Sequence, residues 1–254
     1  MKVVVLGSTG MVGGYVSRYL SQAHEIITPG RSVVDAGSPR WSDLIAVVDA
    51  DYVVNCIGVF GAPAQQMLCV NALFPRELQK ACSRAGGRLI HVSTDGVFRG
   101  DRGKYTEDDS PDADDLYGIS KALGEPEGAM TLRTSLVGLG GRHSLFDSVI
   151  SERRFSGFQN HMWNGMTVVE FARCCGDIID RDLFSAGVFH VFSETLSKEE
   201  LIKMFIEEMN IQAEVEGANA RHPVNRVLVT TRALNHVLSV RPIRVQLEEL
   251  AAQQ

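Results

Sequence analysis

The sequence predicts an α/β fold in which a doubly wound parallel sheet is covered by helices on both faces. Two observations support this prediction. Across the first 140 residues, short runs rich in β-branched residues alternate with segments of helical periodicity. Some of these runs, such as DYVVNCIG at 51–58, are almost continuously apolar, as expected for strands buried on both sides. Such alternation is typical of parallel strands joined by right-handed helical crossovers.

Each element of this first part follows from its own pattern. KVVVLG at 2–7 is a β-branched run that stops at glycine, and MVGGYVSRYLSQA at 11–23 has helical spacing of its apolar residues. EIIT at 25–28 and SVVD at 32–35 are the next two predicted strands. The remaining strands are predicted at 51–58, 88–94 and 130–138, and the remaining helices at 41–50, 64–86 (with a bend near Pro75) and 115–128.

The alternation weakens after about residue 140, where shorter and mixed elements are predicted. Ser197, with Glu200 three residues later, is typical of a capping box at a helix N-terminus. We expect a core formed by residues 1–140 and a second part formed by residues 141–254, some segments of which return to the core. Helices are predicted at 143–154, 168–183 and 197–210, with two short ones near the C-terminus, and strands at 187–193 and 226–230.

Composition and charge limit the classes of partner. The 254 residues include 25 basic and 31 acidic ones, with a formal net charge of −6 and no basic run, so nucleic acid is not an expected partner. A small anionic substrate remains compatible, because a few arginines can hold it. The five cysteines have neither paired nor metal-ligand spacing, so no disulfide framework or zinc site is predicted. No apolar run has the length of a membrane span, and we expect a cytoplasmic protein.

Three glycines, Gly7, Gly10 and Gly13, lie in GSTGMVG between the first predicted strand and the first predicted helix. Glycine at such a turn lets the backbone approach a pyrophosphate, whose charge the helix N-terminus stabilises. The spacing is GxxGxxG rather than the GxGxxG fingerprint, and a turn that needs glycine only for its geometry is the alternative. The position directly after a β-branched strand favours nucleotide binding.

The end of the second predicted strand indicates which nicotinamide cofactor would fit. An acid at this position usually binds the ribose diol of NAD, whereas an arginine accommodates the 2′-phosphate of NADP. EIITPGRS contains no acid after the strand and places Arg31 just beyond it, so NADP(H) is favoured over NAD(H). The alternative is that Arg31 is a solvated loop residue. Asp35 could contact the adenine amino group or cap the following turn.

Tyr117 and Lys121 in DLYGISKALGE lie four residues apart, which places them on one face of a helix. They could be a solvated aromatic residue beside a solvated cation. They could also be a proton donor and an ammonium that holds its pKa down. Thr94 and the glycine turn, both upstream of this pair, favour the second interpretation.

Five motifs occur in order: GSTGMVG, NCIG, VSTDGVF, YGISK and LRTSLVG. With them the chain resembles the extended short-chain dehydrogenases/reductases, and more closely the dTDP-4-dehydrorhamnose reductases and related sugar-nucleotide 4-ketoreductases of bacterial polysaccharide pathways. The resemblance implies a Rossmann core at 1–140 and a mainly substrate-binding cap at 141–254. It also implies that Tyr117 protonates the carbonyl oxygen, that Lys121 stabilises the tyrosinate and holds the nicotinamide ribose, and that Thr94 orients the substrate oxygen.

The same resemblance implies further contacts with the cofactor and the substrate. Arg133, at the end of the sixth predicted strand, is more simply explained as the partner of an acid than as a cofactor ligand. No metal site is implied. The cofactor-binding candidates are Gly7, Thr9, Gly10, Met11, Val12, Gly13, Arg31, Asn55, Cys56, Ile57, Gly58, Asn71, Ser93, Tyr117, Lys121, Thr134 and Ser135, and the substrate-binding candidates are Asp95, Val97, Phe98, Phe158, Trp163 and Asn164. Candidates for holding a substrate anion are Arg142, Arg153, Arg154, Arg221 and Arg226.

The residues after Thr94 indicate the type of reaction. Related 4,6-dehydratases have an acidic pair there, whereas this chain has Asp95 followed by Gly96, which favours simple reduction over elimination. The implied function is NADPH-dependent reduction of a nucleoside-diphosphate 4-keto-6-deoxy sugar. The alternatives are a sugar-nucleotide epimerase and a non-catalytic NADP-binding regulatory subunit. A nucleoside-diphosphate sugar is the implied partner, and a homodimer is a possible assembly.

Overall fold

The computed structural model of the protein describes residues 1–38, 41, 44, 49–141 and 144–253, and a six-stranded sheet lies at its centre. All neighbouring strands of this sheet pair in parallel. The predicted α/β fold class is therefore confirmed. In spatial order the strands are β10 (Gly187–His190), β5 (Met130–Thr134), β4 (Arg88–Thr94), β3 (Tyr52–Asn55), β1 (Lys2–Leu6) and β2 (Glu25–Ile27).

Helices cover both faces of this sheet, and short strand pairs surround it. The helices are α1 (Met11–Leu20), α2 (Ala64–Met67), α3 (Phe74–Ala85), α4 (Leu116–Leu123), α5 (Leu145–Glu152), α6 (Val168–Asp180), α7 (Lys198–Glu208), α8 (Leu234–Leu238) and α9 (Ile243–Ala251). The short strands are β6 (Leu136–Val137), β7 (Arg154–Phe158), β8 (His161–Trp163), β9 (Met166–Thr167), β11 (Leu196–Ser197), β12 (Glu214–Ala218) and β13 (Val224–Asn225).

The alternating sides of β1 explain why the sheet needs helices on both faces. Val3 and Val5 pack in one buried cluster with residues of α1 and α6. Val4 and Leu6 pack in a second buried cluster with residues of α3. Because both sides of the strand are buried, its sequence is continuously apolar rather than alternating.

The long helix predicted at 64–86 is interrupted. Residues Leu68–Leu73 between α2 and α3 form a π-helical segment, in which the backbone is wider than in an α-helix. Pro75 lies in the first turn of α3, where its missing N–H group costs no helical hydrogen bond. Gly86 ends α3 with a φ of 76°, the left-handed conformation that glycine adopts most easily. The predicted bend near Pro75 therefore corresponds to the π-helical segment before it.

Several predicted elements differ from the structure. SVVD at 32–35 is not a strand, because the N–H groups of Val33 and Val34 turn back to the carbonyl oxygen of Gly30. The predicted strand at 226–230 is reduced to a single bridge between Leu228 and Tyr105, and the strand lies earlier, at β13. The helix predicted at 115–128 ends at Leu123. The predicted helix at 41–50 and the candidate Arg142 fall largely or wholly outside the described residues.

Residues 141–254 contribute to both parts of the molecule. β10 extends the central sheet beside β5, and α6 packs against α1. The other elements form a third buried cluster, in which the rings of Phe146 and Phe205 stack with centroids 3.7 Å apart. Cys174 and Cys175 are buried in α6 as small packing residues. Within the part of the chain that the structure describes, no helix is long and apolar enough to span a membrane, and no cluster of potential metal ligands occurs.

Candidate active site

Two adjoining cavities lie at the carboxyl ends of the central strands, which is where open α/β sheets bind ligands. One, of about 350 Å³, is lined by Thr94, Tyr117 and Lys121 together with Met11, Val12, Ser93, Thr134 and Ser135. The other, of about 270 Å³, is lined by Gly7, Thr9 and Gly10 together with Arg31 and Asp35. Residues 56–59 line both cavities. The two cavities therefore adjoin and form one crevice. We call the cavity lined by Tyr117 the catalytic cavity and the cavity lined by Gly7 the glycine-turn cavity.

The glycine turn has the geometry of an anion site. Gly7 has a φ of 80°, and its carbonyl oxygen accepts a hydrogen bond from the N–H of Gly10 at 2.9 Å. A Cβ atom on Gly13 would lie 2.3 Å from that same oxygen, so only glycine fits there. No side chain caps α1, and its first turn contains no acid. The N-terminal N–H groups of α1 are therefore available for a phosphate.

Arg31 and Asp35 lie at the far end of the glycine-turn cavity. The Arg31 Nε atom is 3.4 Å from Asp35 Oδ1, and the same carboxylate accepts a hydrogen bond from the N–H of Gly37 at 3.0 Å. Asp35 thus caps a turn, which was one of its two predicted roles. The guanidinium of Arg31 is largely exposed and can contact a ligand in this cavity.

Asn71 fixes the loop shared by the two cavities. Its side chain accepts a hydrogen bond from the N–H of Val59 at 2.9 Å and donates to the carbonyl oxygen of Val59 at 2.8 Å. It also donates to Ser120 Oγ on α4 at 3.0 Å. Asn71 is fully buried in the π-helical segment and lines neither cavity, so it supports the site rather than lining it. Asn55 is likewise buried, and its side chain bonds to His91 and to the N–H of Ile57.

The helix α4 brings Tyr117 and Lys121 to the catalytic cavity. Asp115 caps this helix by accepting a hydrogen bond from the N–H of Gly118 at 2.8 Å. A Cβ atom on Gly118 would lie 2.1 Å from the carbonyl oxygen of Gly96, and one on Gly124 would lie 1.7 Å from that of Asn71. The two glycines of YGISKALG therefore let α4 pack directly on the backbone of the loop after β4 and of the π-helical segment.

Tyr117 is a protonated phenol in this environment. Burial raises its pKa above the ordinary value of 10.0, a hydrogen bond with Thr94 lowers it, and the nearby carboxylates of Asp95 and Asp115 raise it further. The cation that opposes them is Arg226. The net shift of this pKa is therefore upward, whereas the sequence interpretation expected a lowered pKa. A neutral phenol is nevertheless the form that a proton donor requires.

Lys121 is buried at the base of the catalytic cavity. Its ammonium donates a hydrogen bond to the carbonyl oxygen of Val92 at 2.6 Å. Burial lowers its pKa to about 8, against the opposing effects of Glu125 and Cys56. At neutral pH most Lys121 side chains are charged, but the ammonium gives up its proton far more easily than an exposed lysine does.

Glu125 is a site residue to which the sequence prediction assigned no role. Its carboxylate accepts hydrogen bonds from Ser93 Oγ at 2.7 Å and from Arg133 Nε and Nη2 at 2.8 and 2.7 Å. Both members of the Glu125–Arg133 ion pair are buried, and Arg133 has the acidic partner that was predicted for it. Glu125 closes the YGISKALGE motif, so its position after Lys121 was the available signal.

The loop after β4 places Thr94 and Asp95 next to Tyr117. The Thr94 hydroxyl donates to Asp95 Oδ1 at 3.2 Å and accepts from the N–H of Gly96 at 3.0 Å. Burial raises the pKa of Asp95, which is opposed by the charges of Arg226 and Lys198 and by hydrogen bonds. A Cβ atom on Gly96 would lie 3.2 Å from Thr94 Oγ1, so the absence of a side chain here leaves the hydroxyl accessible.

The substrate-binding candidates, Asp95 included, do not line either of these two cavities. Val97 and Phe98 are fully buried in a cluster with Tyr105, which argues against direct contact of their side chains with substrate. Both polar ends of the Asn164 amide are bonded to the backbone of Leu228, at 2.8 and 2.9 Å. Phe158 packs against His161. Trp163 is buried beneath the ammonium of Lys198.

Phe60 lines the catalytic cavity, although the sequence analysis did not identify it as a site residue. It lies on the loop held by Asn71 and packs edge-on against Tyr117 with ring centroids 5.2 Å apart. Its side chain is largely exposed. Its sequence position between two glycines, in GVFG, has no periodic signal that could distinguish it from an ordinary loop residue.

The arrangement can transfer a proton at the end of a nucleotide-sized crevice. A neutral phenol, a hydroxyl and a buried ammonium face one cavity, and an uncapped helix N-terminus lies at the adjoining one. The hydroxyl of Thr134 is buried without a hydrogen-bond partner among the described residues, although Thr134 lines the catalytic cavity. These features fit a dinucleotide that spans both cavities.

Comparisons with known proteins agree with this geometry. A family model described as the RmlD substrate binding domain matches residues 1–254. The chain is 32% identical over 167 residues to a dTDP-4-dehydrorhamnose reductase of Mycobacterium tuberculosis, an alignment that covers 59% of this chain and 54% of that protein. It is also 28% identical over 185 residues to methionine adenosyltransferase 2 subunit beta of Danio rerio, covering 58% and 54%. The chain thus spans about half the length of the curated relatives it matches.

A solved structure extends the similarity of the fold to the whole chain. The dTDP-4-dehydrorhamnose reductase of Bacillus anthracis in complex with NADP superposes with a TM-score of 0.85, covering 100% of this chain and 99% of that one. The sequence identity is 20%, so this likeness establishes the shared fold alone.

Proposed function

The chain belongs to the RmlD substrate binding domain family, and from this premise we propose that it is an NAD(P)-dependent oxidoreductase of the short-chain dehydrogenase/reductase type. Its reaction is the NADPH-dependent reduction of a nucleoside-diphosphate 4-keto-6-deoxy sugar. The observation that supports this most directly is the meeting of Thr94, Tyr117 and Lys121 in one cavity that is continuous with the glycine turn.

The residues that would hold the cofactor are distributed along the crevice. The N–H groups at the start of α1 and the glycine turn bind the pyrophosphate. Arg31 lies where a guanidinium can pair with a 2′-phosphate, which favours NADP(H). Residues 56–58 line both cavities, and Ser93, Thr134 and Ser135 line the catalytic cavity, where they would contact the nicotinamide. When bound, the reduced nicotinamide supplies the hydride.

The protein's own side chains supply the proton and stabilise the charge that its transfer leaves behind. Tyr117 is protonated across the neutral range, so its phenol can donate to the carbonyl oxygen of the substrate as negative charge develops there. Thr94 donates a second hydrogen bond to the same oxygen, a role for which it must give up its bond to Asp95. Lys121, one helical turn from Tyr117, stabilises the tyrosinate that remains.

The same loop favours reduction over elimination. Removal of water from a sugar requires an acid and a base close to the carbons that lose it. Only Asp95 is available in this loop, because Gly96 follows it without a side chain. We further assign residues 141–254 mainly to substrate binding and residues 1–140 mainly to cofactor binding.

The test is an activity measurement on a panel of nucleoside-diphosphate 4-keto-6-deoxy sugars with NADPH. We expect NADPH absorbance to fall with at least one of them and the product to be the corresponding 4-hydroxy sugar. Formation of an epimerised sugar without net consumption of added NADPH would instead identify an epimerase, because epimerases recycle their cofactor. Parallel assays with NADH test the predicted cofactor preference.

A second candidate is a non-catalytic NADP-binding regulatory subunit. The 28% identity to methionine adenosyltransferase 2 subunit beta is the observation that favours it. The complete set of Thr94, Tyr117 and Lys121 favours an enzyme instead. Tight NADPH binding without consumption on any ketosugar in the panel would support the regulatory subunit.

A further inference from the structure

A group of charged side chains lies beside the catalytic residues, on the side formed by residues 141–254. It consists of Asp95, Lys198 and Arg226, with the ring of Trp163 beneath Lys198. Lys198 is the first residue of α7, and its ammonium lies 5.0 Å from the centre of the Trp163 ring. The charge of Asp95 acts on both Lys198 and Tyr117. A Cβ atom on Gly165 would lie 1.9 Å from the carbonyl oxygen of Ser135, which lines the catalytic cavity, and 2.6 Å from the Trp163 ring, so the group adjoins this cavity.

The two cations of this group differ in their partners. Arg226 donates a hydrogen bond from Nε to the carbonyl oxygen of Phe98 at 2.8 Å, and its Nη2 lies 3.8 Å from Asp115 Oδ2. The side-chain ammonium of Lys198 forms neither a hydrogen bond nor a salt bridge with any residue in the described ranges. An ammonium has three donors, and withdrawing it from water without an acceptor is unfavourable. Burial accordingly lowers the pKa of Lys198 to about 8.

Neither Lys198 nor Arg226 lines the glycine-turn cavity, where the cofactor phosphates are expected. The charge of Lys198 is therefore not required for the cofactor. The proposed substrate has one other strongly anionic group, the diphosphate, which is attached one sugar ring away from the reacting carbonyl. Thr94 and Tyr117 would fix the carbonyl end, so the diphosphate must lie within about one sugar ring of them, and Thr94 is itself hydrogen-bonded to Asp95 of this group at 3.2 Å.

From this juxtaposition, and resting on the proposed function, we propose that Lys198 binds the diphosphate of the sugar nucleotide and that Arg226 supports it. The ammonium of Lys198 supplies donors that have no acceptor among the described residues, and the face of the Trp163 ring holds that ammonium in place. Asp95 balances part of the positive charge in the absence of substrate. The sequence offers no periodic or motif signal for this role, because Lys198 is one of several charged residues in SKEELIK.

The experiment is a titration of the full chain by calorimetry with dTDP and UDP, and separately with thymidine and uridine. Lys198→Met keeps an unbranched side chain of similar length but removes the charge. We expect the dissociation constant of the better nucleoside diphosphate to rise roughly tenfold or more, as is typical of a lost hydrogen bond to a charged group. Nucleoside binding should change less than twofold, and Lys198→Arg should restore most of the affinity.

The matched control is Lys203→Met on the same helix, where the ammonium is exposed and pairs with Glu199 at 2.7 Å. This variant should bind both diphosphates as the unmodified protein does. Unchanged diphosphate binding in Lys198→Met, an equal loss of nucleoside binding, or no binding of either diphosphate to the unmodified protein would each overturn the proposal. None of these results depends on turnover, so the reductase assay remains a separate test. Thermal unfolding of each variant verifies that it is folded.

Discussion

At the level of single residues, Tyr117 and Lys121 have complementary protonation states. The phenol of Tyr117 holds the proton to be donated, and the ammonium of Lys121 supplies the charge that stabilises the tyrosinate left behind. Burial keeps the phenol protonated by raising its pKa, and burial lowers the pKa of the ammonium to about 8. The spacing of the two residues was predictable from the sequence, because it depends only on helical geometry. The sign of the Tyr117 shift was not, because it depends first on burial and then on Asp95, and both act on the phenol only in the folded chain.

The ionisation of Lys121 predicts an alkaline limb in the pH dependence of kcat at saturating sugar nucleotide, where the proposed contact of Lys198 with the diphosphate is already made. The lysine must be charged to stabilise a tyrosinate, so activity should fall as the pH rises through about 8. Replacing Glu125 with Gln removes a carboxylate that favours the ammonium, so the limb should move to lower pH. Steady-state kinetics between pH 6 and 10 provide the measurement.

Two variants give this prediction its controls. Glu127→Gln removes an exposed carboxylate two residues after Glu125 in the sequence and should leave the pH of the alkaline limb unchanged. Lys121→Arg keeps a positive charge throughout the range and should abolish the limb, whatever its effect on the maximal rate. A limb that stays at the same pH in Glu125→Gln would show that another group controls it.

At the level of elements, the position of α4 depends on contacts between backbones. Gly118 and Gly124 allow the helix to lie against the loop after β4 and against the π-helical segment. Periodicity predicted the helices because it is a local property of the chain. In residues 141–254 it predicted β10 but missed the other short strands, since these depend on pairing with distant residues, as β7 does with β12. SVVD has the composition of a strand but turns back on Gly30 instead.

The close packing of α4 predicts that Gly124→Ala is destabilising. The added Cβ would lie 1.7 Å from the carbonyl oxygen of Asn71, although the backbone of Gly124 is in a right-handed helical conformation that alanine adopts readily. We expect a loss of roughly 1–3 kcal/mol in the free energy of unfolding, measured by urea denaturation. In the control Gly30→Ala the nearest atom is 4.0 Å away. Equal stabilities of the two variants would contradict the proposed contact.

At the level of the whole molecule, a buried network joins the C-terminal segment to the core. Glu170 on α6 is fully buried and accepts hydrogen bonds from Arg173 Nε at 3.0 Å and from Arg241 Nε and N at 2.6 and 2.9 Å. Burial raises the pKa of Glu170, but these bonds outweigh it and lower the pKa below its usual range. The stabilisation is therefore present at neutral pH and is lost as the pH falls through the lowered pKa.

This network predicts that Glu170→Gln weakens the whole fold without changing the catalytic site. Loss of the buried charge removes one of the two carboxylate partners of each arginine, since Arg173 also pairs with Asp177 and Arg241 with Glu249, and we expect a destabilisation of roughly 1–3 kcal/mol at neutral pH. Glu214→Gln, which breaks an exposed pair with Arg154, should change the stability by about 0.5 kcal/mol or less. Chemical denaturation compares the two. Because Glu170 lines neither cavity, KM should change little while the variant is folded.

The overall architecture was the most predictable property of this chain, because a parallel sheet with two covered faces requires the continuous apolar strands seen in β1 and β3. The site was predictable where a motif placed residues on the crevice, as for Gly7 and Tyr117. It was not predictable where a long-range contact decides the role, as for Glu125 and Lys198.

The central claim, that the phenol of Tyr117 donates the proton in a reduction, is tested most directly by Tyr117→Phe. The variant keeps the ring that packs against Phe60 and removes only the hydroxyl. In single-turnover reactions with NADPH and a ketosugar nucleotide accepted by the unmodified protein, we predict a rate about 10²- to 10⁴-fold lower. The dissociation constant for NADPH should stay within about threefold of the unmodified value, because the hydroxyl serves chemistry more than binding. A variant that reduces the sugar at the full rate would contradict the account.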